Sequence, residues 1–314
     1  HMNPDGDAIG SSLGLYLWLK NAGFSEVSVV VPNPYPAFLQ WMPGHKEVIN
    51  ALYQPHKAKR IIQKASVIFC LDFNALSRTA TLEEYVSDSQ AIRILIDHHP
   101  QPEGTFDLVI SDVNASSTAE LVYEFLHELD GARFLDRQAA ECLYAGIVTD
   151  TGSFSYGCNG PRTFEITAGL IALGVDGADI HQKIYSTYSA NRLRLLGYCL
   201  SERLVVMEDH HTAYISLSQE DLKRFHYKVG DTEGVVNYAM SIENIHMAAL
   251  FVENTDHIRI SFRSAGRTDV NEFARRFFNG GGHQNAAGGK SFESLPETLS
   301  RFESLIKRGE ADGV

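Results

Sequence analysis

The first seven residues, HMNPDGD, bring an imidazole (His1) and two carboxylates (Asp5 and Asp7) to the start of an apolar helical pattern. Later acids stand at comparable places. Asp72 closes VIFCLD (67–72), Asp97 closes ILID (94–97) with His98 and His99 directly after it, and Asp150 closes AGIVTD (145–150). Taken alone, each has an ordinary explanation. An Asp beside a helix start caps orphan amides, and Asn-Pro-Asp-Gly is turn chemistry. His98-His99 suits a solvated loop, and Asp150 before Thr151-Gly152 suits a helix end. Their joint occurrence is another matter, because ligands bind at the carboxyl ends of strands in an open parallel sheet. One crevice there would hold five carboxylates and three imidazoles. So many unpaired acids repel and shift one another's pKa values unless cations lie between them. Oxygen and nitrogen donors without thiolate suit Mn²⁺ or a related divalent ion, and a cluster of this size has room for two.

Those residues need a scaffold. Ile9, Leu13, Tyr16 and Leu17 follow helical spacing between Ile9 and Leu19. EVSVVVP (26–32), SVIFCLD (66–72) and AIRILID (91–97) predict strands, apolar runs of the kind a parallel sheet covers on both faces. STAELVYEFLHEL (117–129) predicts a capped amphipathic helix, and AAECLYAGIVTDTGSF (139–154) an apolar helix that breaks at Gly152. After a connecting helix within TYSANRLRLLGYCLSERL (187–204), the pattern turns to hairpins. HIRISFRS (257–264) alternates Ile258, Ile260 and Phe262 with Arg259, Ser261 and Arg263, and the helix VNEFARRFF (270–278) stops at NGGGHQNAAGG (279–289). The expected fold class is α/β. A mostly parallel sheet flanked by helices spans 1–186, a linker covers 187–200, and a smaller α/β domain spans 201–314, with the active site in the cleft between them.

Composition narrows the partners. Lys and Arg number 27 against 39 Asp and Glu, a formal charge of −12, so the broad basic surface that grips long nucleic acid by counterion release is missing. An anionic substrate must be held locally. No apolar run approaches the ~18–20 residues of a membrane-spanning helix, and no signal-peptide pattern stands at the N-terminus. The cysteines at 70, 142, 158 and 199 form no C-x-x-C pair and suit a reducing compartment, so the expected location is the cytoplasm, with no membrane partner.

These residues resemble the DHH phosphoesterases, named for the Asp-His-His found at 97–99. HMNPDGDAIGS resembles the first family motif, CLDFNALSR the second, DHHP the third and GIVTDTGSF the fourth. GGGHQNAAGG resembles the signature of the associated C-terminal domain, so the likeness covers essentially the whole chain. The family pattern places a histidine four residues before the first Asp, which argues that His1 is native rather than a cloning remnant. It also places a strand before the first motif that has no counterpart here, so an upstream segment is expected. The resemblance implies two divalent ions, Mn²⁺ first, with Mg²⁺ or Co²⁺ as alternatives. One would be held by His1, Asp5 and Asp72, and the other by Asp7, Asp72, His98 and Asp150, with Asp72 as the bridge. His99 would contact the scissile phosphate or protonate the leaving oxygen, and Asp97 would orient the histidines. In the C-terminal domain, Arg263, open amides at Gly280, Gly281 and Gly282, and His283 would hold the substrate.

The activity implied is hydrolysis of short oligoribonucleotides to 5′-mononucleotides and of 3′-phosphoadenosine 5′-phosphate (pAp) to AMP and phosphate. The partner is then a short RNA or nucleotide, with no long duplex, and a homodimer is left open. Hydrolysis of linear or cyclic dinucleotides of the cyclic di-AMP type is the alternative reaction, and a nucleotide-sensing protein with impaired catalysis the alternative of another class. A family pyrophosphatase fits less well, because GGGHQNAAGG is of the nucleotide-binding type. A second Asp-His-His, Asp209-His210-His211, has no acidic motifs in register and reads as a solvated hairpin turn.

Overall fold

Asp5 starts the first helix, its Oδ1 accepting from the amides of Asp7 and Ala8 at 3.1 and 3.0 Å. That helix, α1 (Gly6–Asn21), packs along α5 (Arg137–Asp150). Gly6, Gly10 and Gly14 recur every four residues on α1. A Cβ on Gly10 would lie 2.5 Å from the Cys142 carbonyl oxygen and 2.8 Å from the Gly146 nitrogen, so the two backbones approach at a distance only glycine permits. On α5, a Cβ on Gly146 would sit 3.0 Å from an Asp7 carboxylate oxygen. The packed pair therefore sets the first turn of α1, carrying Asp7, against the closing turns of α5, which end at Asp150.

The computed structural model describes residues 1–129, 131–158 and 160–311, in two units, His1–Thr187 and Tyr188–Val314. In the first, β1 (Val30–Val31) pairs in parallel with β2 (Ile49–Asn50), and β3 (Val67–Leu71), β4 (Ile92–Asp97) and β5 (Leu108–Ser111) form a parallel sheet in that order. Helices α2 (Pro55–Lys64), α3 (Leu82–Ser87), α4 (Thr118–Glu128), α6 (Arg162–Ala172) and α7 (Gly177–Tyr185) complete it. The strand expected over 26–32 is shorter, because Glu26 and Ser28 are exposed and burial begins only at Val29. Nor are β3 and β4 covered along their whole length: Val67 and Ile92, at their amino ends, are exposed. β5 was not expected from the sequence, since Leu108 and Val109 face solvent and leave no buried pattern.

The second unit begins with α8 (Ala190–Glu202) and is built on a six-stranded sheet. Its strands are β6 (Leu204–Met207), β7 (Thr212–Leu217), β8 (Met247–Glu253), β9 (Ile258–Ser264), β10 (Gly281–His283) and β11 (Ala286–Ser291), in the order β10-β11-β9-β8-β7-β6. All neighbours are antiparallel except β7 and β8. Helices α9 (Gln219–Arg224), α10 (Val235–Met240), α11 (Val270–Phe277) and α12 (Leu295–Lys307) accompany it. Phe251, Phe262, Phe273, Phe278 and Phe302 pack with α11 and α12 in one core cluster, and Leu195, Ile215, Val236 and Leu250 form another with α8 and α10. Asp209, His210 and His211 occupy the exposed turn between β6 and β7, where His211 takes a positive φ of 47°. No helix among the described residues is long and apolar enough to cross a membrane.

Candidate metal centre

The carboxyl ends of β3 and β4 deliver the central residues. Asp72 follows β3 with φ at +65°, a region that a non-glycine residue occupies at a cost and that clusters at functional sites. Its amide donates to the Ile96 carbonyl at 3.2 Å, and its carboxylate is buried between both groups of ligand-type residues. Asp72 Oδ2 lies 3.3 Å from His1 Nε2, while Oδ1 lies 3.8 Å from His98 Nε2 and accepts the Thr118 hydroxyl at 3.0 Å. Asp5 Oδ2 is 3.8 Å from His1 Nε2. Asp7 Oδ2 lies 4.0 Å and Asp150 Oδ2 3.5 Å from His98 Nε2. Donor atoms of His1, Asp5 and Asp72, of Asp7, Asp72 and His98, and of Asp72, Asp97 and His99 come within 4.8 Å of one another in each set. Asp72 belongs to all three.

The histidines are prepared alike. His1 Nδ1 is 2.9 Å from the Met2 carbonyl and His98 Nδ1 is 3.2 Å from the Ala115 carbonyl. A carbonyl only accepts, so Nδ1 carries the proton in both rings and Nε2 faces the acids. His99 Nδ1 likewise sits 2.7 Å from Asp97 Oδ1, while Asp97 Oδ2, also buried, has no hydrogen-bond partner among the described residues. Such support on the far nitrogen is what metal-ligating imidazoles receive.

Electrostatics point the same way. Burial raises the pKa of Asp7 well above the carboxylate range, with Asp72, Asp150 and Asp5 adding repulsion. Burial also raises Asp150, to about 6, although His98 partly offsets it. Burial opposes a charged His1, yet Asp5 and Asp72 outweigh it and lift its pKa to about 10. His98 is raised in the same way, the pull of Asp150 and Asp72 overcoming burial. Burial works against ionised Asp72 too, but His1, His99 and His98 hold its carboxyl below the usual range. Positive charge, as protons or as cations, is thus favoured among these acids, and this donor set of carboxylate oxygens and imidazole nitrogens fits divalent cations.

Sequence reasoning missed the role of the start of α4. Thr118 and Ala119 donate their amides to Asp7 Oδ2 and Oδ1 at 2.6 and 2.9 Å. The SST string before the helix had announced only its cap, which Ser117 supplies by accepting from Glu120 N at 3.1 Å.

The residues expected to bind substrate lie in the second unit. Arg263 stands on interior strand β9, facing Ala286 of β11, which faces His283 of β10. Ile258, Ile260 and Phe262 fill the core from the opposite face of β9. Arg263 Nη1 donates to the Phe262 carbonyl at 2.8 Å. The open-amide reading is corrected for Gly280 and Gly282. Gly280 N–H donates to the Ala274 carbonyl at 3.1 Å and Gly282 N–H to Asn271 Oδ1 at 2.9 Å. The run is needed for close backbone approach, since a Cβ on Gly280 would fall 1.9 Å from the Gly288 oxygen.

Residues 1–147 match the DHH family, N-terminal domain, and residues 212–308 match the DHHA1 domain. The chain is 30% identical over 313 residues to the bifunctional oligoribonuclease and PAP phosphatase NrnA of Bacillus subtilis (strain 168), covering 99% of this chain and 94% of that one. It is 31% identical to the probable bifunctional oligoribonuclease and PAP phosphatase NrnA of Streptococcus mutans over 306 residues, 97% and 92% of the two chains. The chain belongs to the DHH family. The crystal structure of an exopolyphosphatase-related protein from Bacteroides fragilis is similar over 98% of this chain and 90% of that one, with a TM-score of 0.92 and 42% identity. The Asp-His-His that names the DHH family is Asp97-His98-His99, at the end of β4. DHH phosphoesterases are metal-dependent, and the crevice built around Asp72 has the ligand chemistry for that dependence.

Proposed function

We propose that this DHH-family chain is a phosphoesterase that hydrolyses short oligoribonucleotides to 5′-mononucleotides and pAp to AMP and phosphate. The observation that carries the chemistry is the set of imidazoles whose Nδ1 atoms are committed to Met2, Ala115 and Asp97, while Asp72 joins their acidic neighbours. The substrate class follows the activities for which the relatives matching nearly the whole chain are named. The assignment is two Mn²⁺ ions, one held by His1, Asp5 and Asp72, the other by Asp7, Asp72, His98 and Asp150. When bound, divalent cations lower the pKa of a water and offset the charge that builds on phosphorus during in-line attack. Water gives up a proton as its oxygen adds to phosphorus, the P–O ester bond breaks, and the leaving oxygen takes up a proton. His99, its ring fixed by the Nδ1–Asp97 bond, presents Nε2 to the substrate. In its protonated form it donates to the leaving oxygen, so Asp97 acts as the group that orients the donor.

Arg263 and His283 bind a non-reacting phosphate or the terminal nucleotide in this reading, a guanidinium fork being suited to phosphate. The glycines at 280–282 shape that surface by their small size. The acidic net charge of −12 fits short substrates better than a track along long strands. The cysteines form no C-x-x-C pair and suit a reducing compartment, so the cytoplasm is the proposed location. The test is a hydrolysis panel of pAp, di- to pentaribonucleotides and cyclic di-AMP with Mn²⁺, with Mg²⁺ and with chelator. Turnover of pAp and the short RNAs that vanishes with chelator is expected. Cleavage of the cyclic dinucleotide alone, or binding without turnover, would overturn the assignment.

A further inference from the structure

We infer that the segment Ala115–Ala119, through Thr118 above all, is a positioning bracket for the ligand set Asp7, Asp72 and His98. It does so by holding all three side chains through its own backbone and one hydroxyl. The inference rests on reading those three residues as metal ligands. Within five residues the segment reaches each of them. The Ala115 carbonyl takes the Nδ1 proton of His98 at 3.2 Å. The amides of Thr118 and Ala119 hold the two oxygens of Asp7 at 2.6 and 2.9 Å, and the Thr118 hydroxyl donates to Asp72 Oδ1 at 3.0 Å. Thr118 alone therefore ties together two carboxylates that repel each other. The amides belong to the first turn of α4, an 11-residue helix, whose positive end favours the anion they hold.

The segment is clamped from behind. Before it, Asp112 accepts from Asn114 N at 2.9 Å and from Arg162 Nη1 at 2.6 Å. After it, Glu120, fully buried, accepts the hydroxyls of Ser116 and Thr163, each at 2.7 Å, and lies 3.1 Å from Arg162 Nε. Arg162 also bonds Glu124 with a forked pair. One arginine on α6 thus anchors both ends of the bracket without touching a ligand. Amides and hydroxyls that grip carboxylates restrict which lone pairs they present, and groups in that outer role commonly change metal affinity 10–100-fold when removed.

Thr118→Val keeps the amide and the shape but removes the hydroxyl, whereas Thr118→Ser restores it. Mn²⁺ titrated calorimetrically into the metal-free full-length proteins is expected to bind Thr118→Val about 10–100-fold more weakly than the parent, with Thr118→Ser within a fewfold. Arg162→Met, which leaves every contact to the ligands in place, is expected to weaken binding by a smaller factor. Turnover of Thr118→Val should recover toward the parent value as Mn²⁺ is raised, with KM for the nucleotide little changed. Parent-like Mn²⁺ affinity in a folded Thr118→Val, or a loss in Thr118→Ser equal to that in Thr118→Val, would overturn the bracket. A parent protein that binds no Mn²⁺ would instead overturn the metal reading on which it rests.

Discussion

Replacing Asp150 with asparagine is expected to stabilise the metal-free protein while it weakens metal binding, two effects of opposite sign from one carboxylate. Burial and the neighbouring acids lift the Asp150 pKa from 3.8 to about 6. A carboxyl whose folded-state pKa lies above its unfolded value favours folding while protonated, and that contribution is lost as pH rises through about 6. At 1.36 kcal/mol per pKa unit the change would correspond to about 3 kcal/mol for a fully buried group. The Asp150 side chain is 33% exposed, and solvent screening reduces the figure to about 1 kcal/mol. At pH 8 in chelator, Asp150→Asn should therefore raise Tm by roughly 2–4 °C, and at pH 4 the gain should disappear. With Mn²⁺ the order should reverse, because the parent regains through ligation what the variant cannot. Thermal denaturation at both pH values, with chelator and with Mn²⁺, reads all four corners. A variant equally destabilised at pH 4 and pH 8 in chelator would refute the reasoning, since the carboxylate would then be stabilising the fold rather than burdening it.

Three further outcomes follow from the geometry. Asp72→Ala removes the carboxylate shared by the three ligand-type sets formed within the first unit and should abolish hydrolysis while the protein stays folded by circular dichroism, whereas His210→Ala with His211→Ala, in the exposed β6–β7 turn, should leave turnover within twofold of the parent, a change of about 0.4 kcal/mol. Arg263→Ala should cut kcat/KM for pAp and dinucleotides by roughly one to three orders of magnitude, the worth of a charge-assisted hydrogen bond or a forked pair, but leave bis-p-nitrophenyl phosphate within a fewfold; an equal loss on both substrates would put Arg263 in the chemistry. Gly10→Ala, whose Cβ would meet the Cys142 carbonyl at 2.5 Å, should cost about 1–3 kcal/mol by overpacking in urea denaturation and also weaken Mn²⁺ binding, because α1 and α5 carry Asp7 and Asp150.

What could be read in advance depended on how locally each feature is encoded. Asp72 and Asp97 end continuous apolar runs, so the strand pattern itself marks the ends of β3 and β4. The hairpin copy at 209–211 was separable from the true Asp-His-His because its surroundings alternate rather than run apolar. β5 escaped because an exposed edge strand has no buried periodicity to read. The Thr118 bracket escaped for a different reason: its function is carried by backbone amides and a carbonyl, which every residue has, and only the fold aims them at Asp7, Asp72 and His98. The triple glycine misled because the same residue serves an anion nest and a tight backbone crossing. The clash at Gly280 and the committed amide protons favour the crossing.

If Asp72 joins two cation sites, the number of ions the chain binds must depend on its carboxylate. Calorimetric titration of Mn²⁺ into the metal-free chain at pH 8 should give two ions per chain for the parent and no more than one for Asp72→Ala. Binding should be accompanied by proton release that grows as pH is lowered toward 6, since His1, Asp7 and Asp150 hold protons that the cations must displace. A single ion in the parent, or two ions retained in Asp72→Ala, would mean that Asp72 does not join two cation sites.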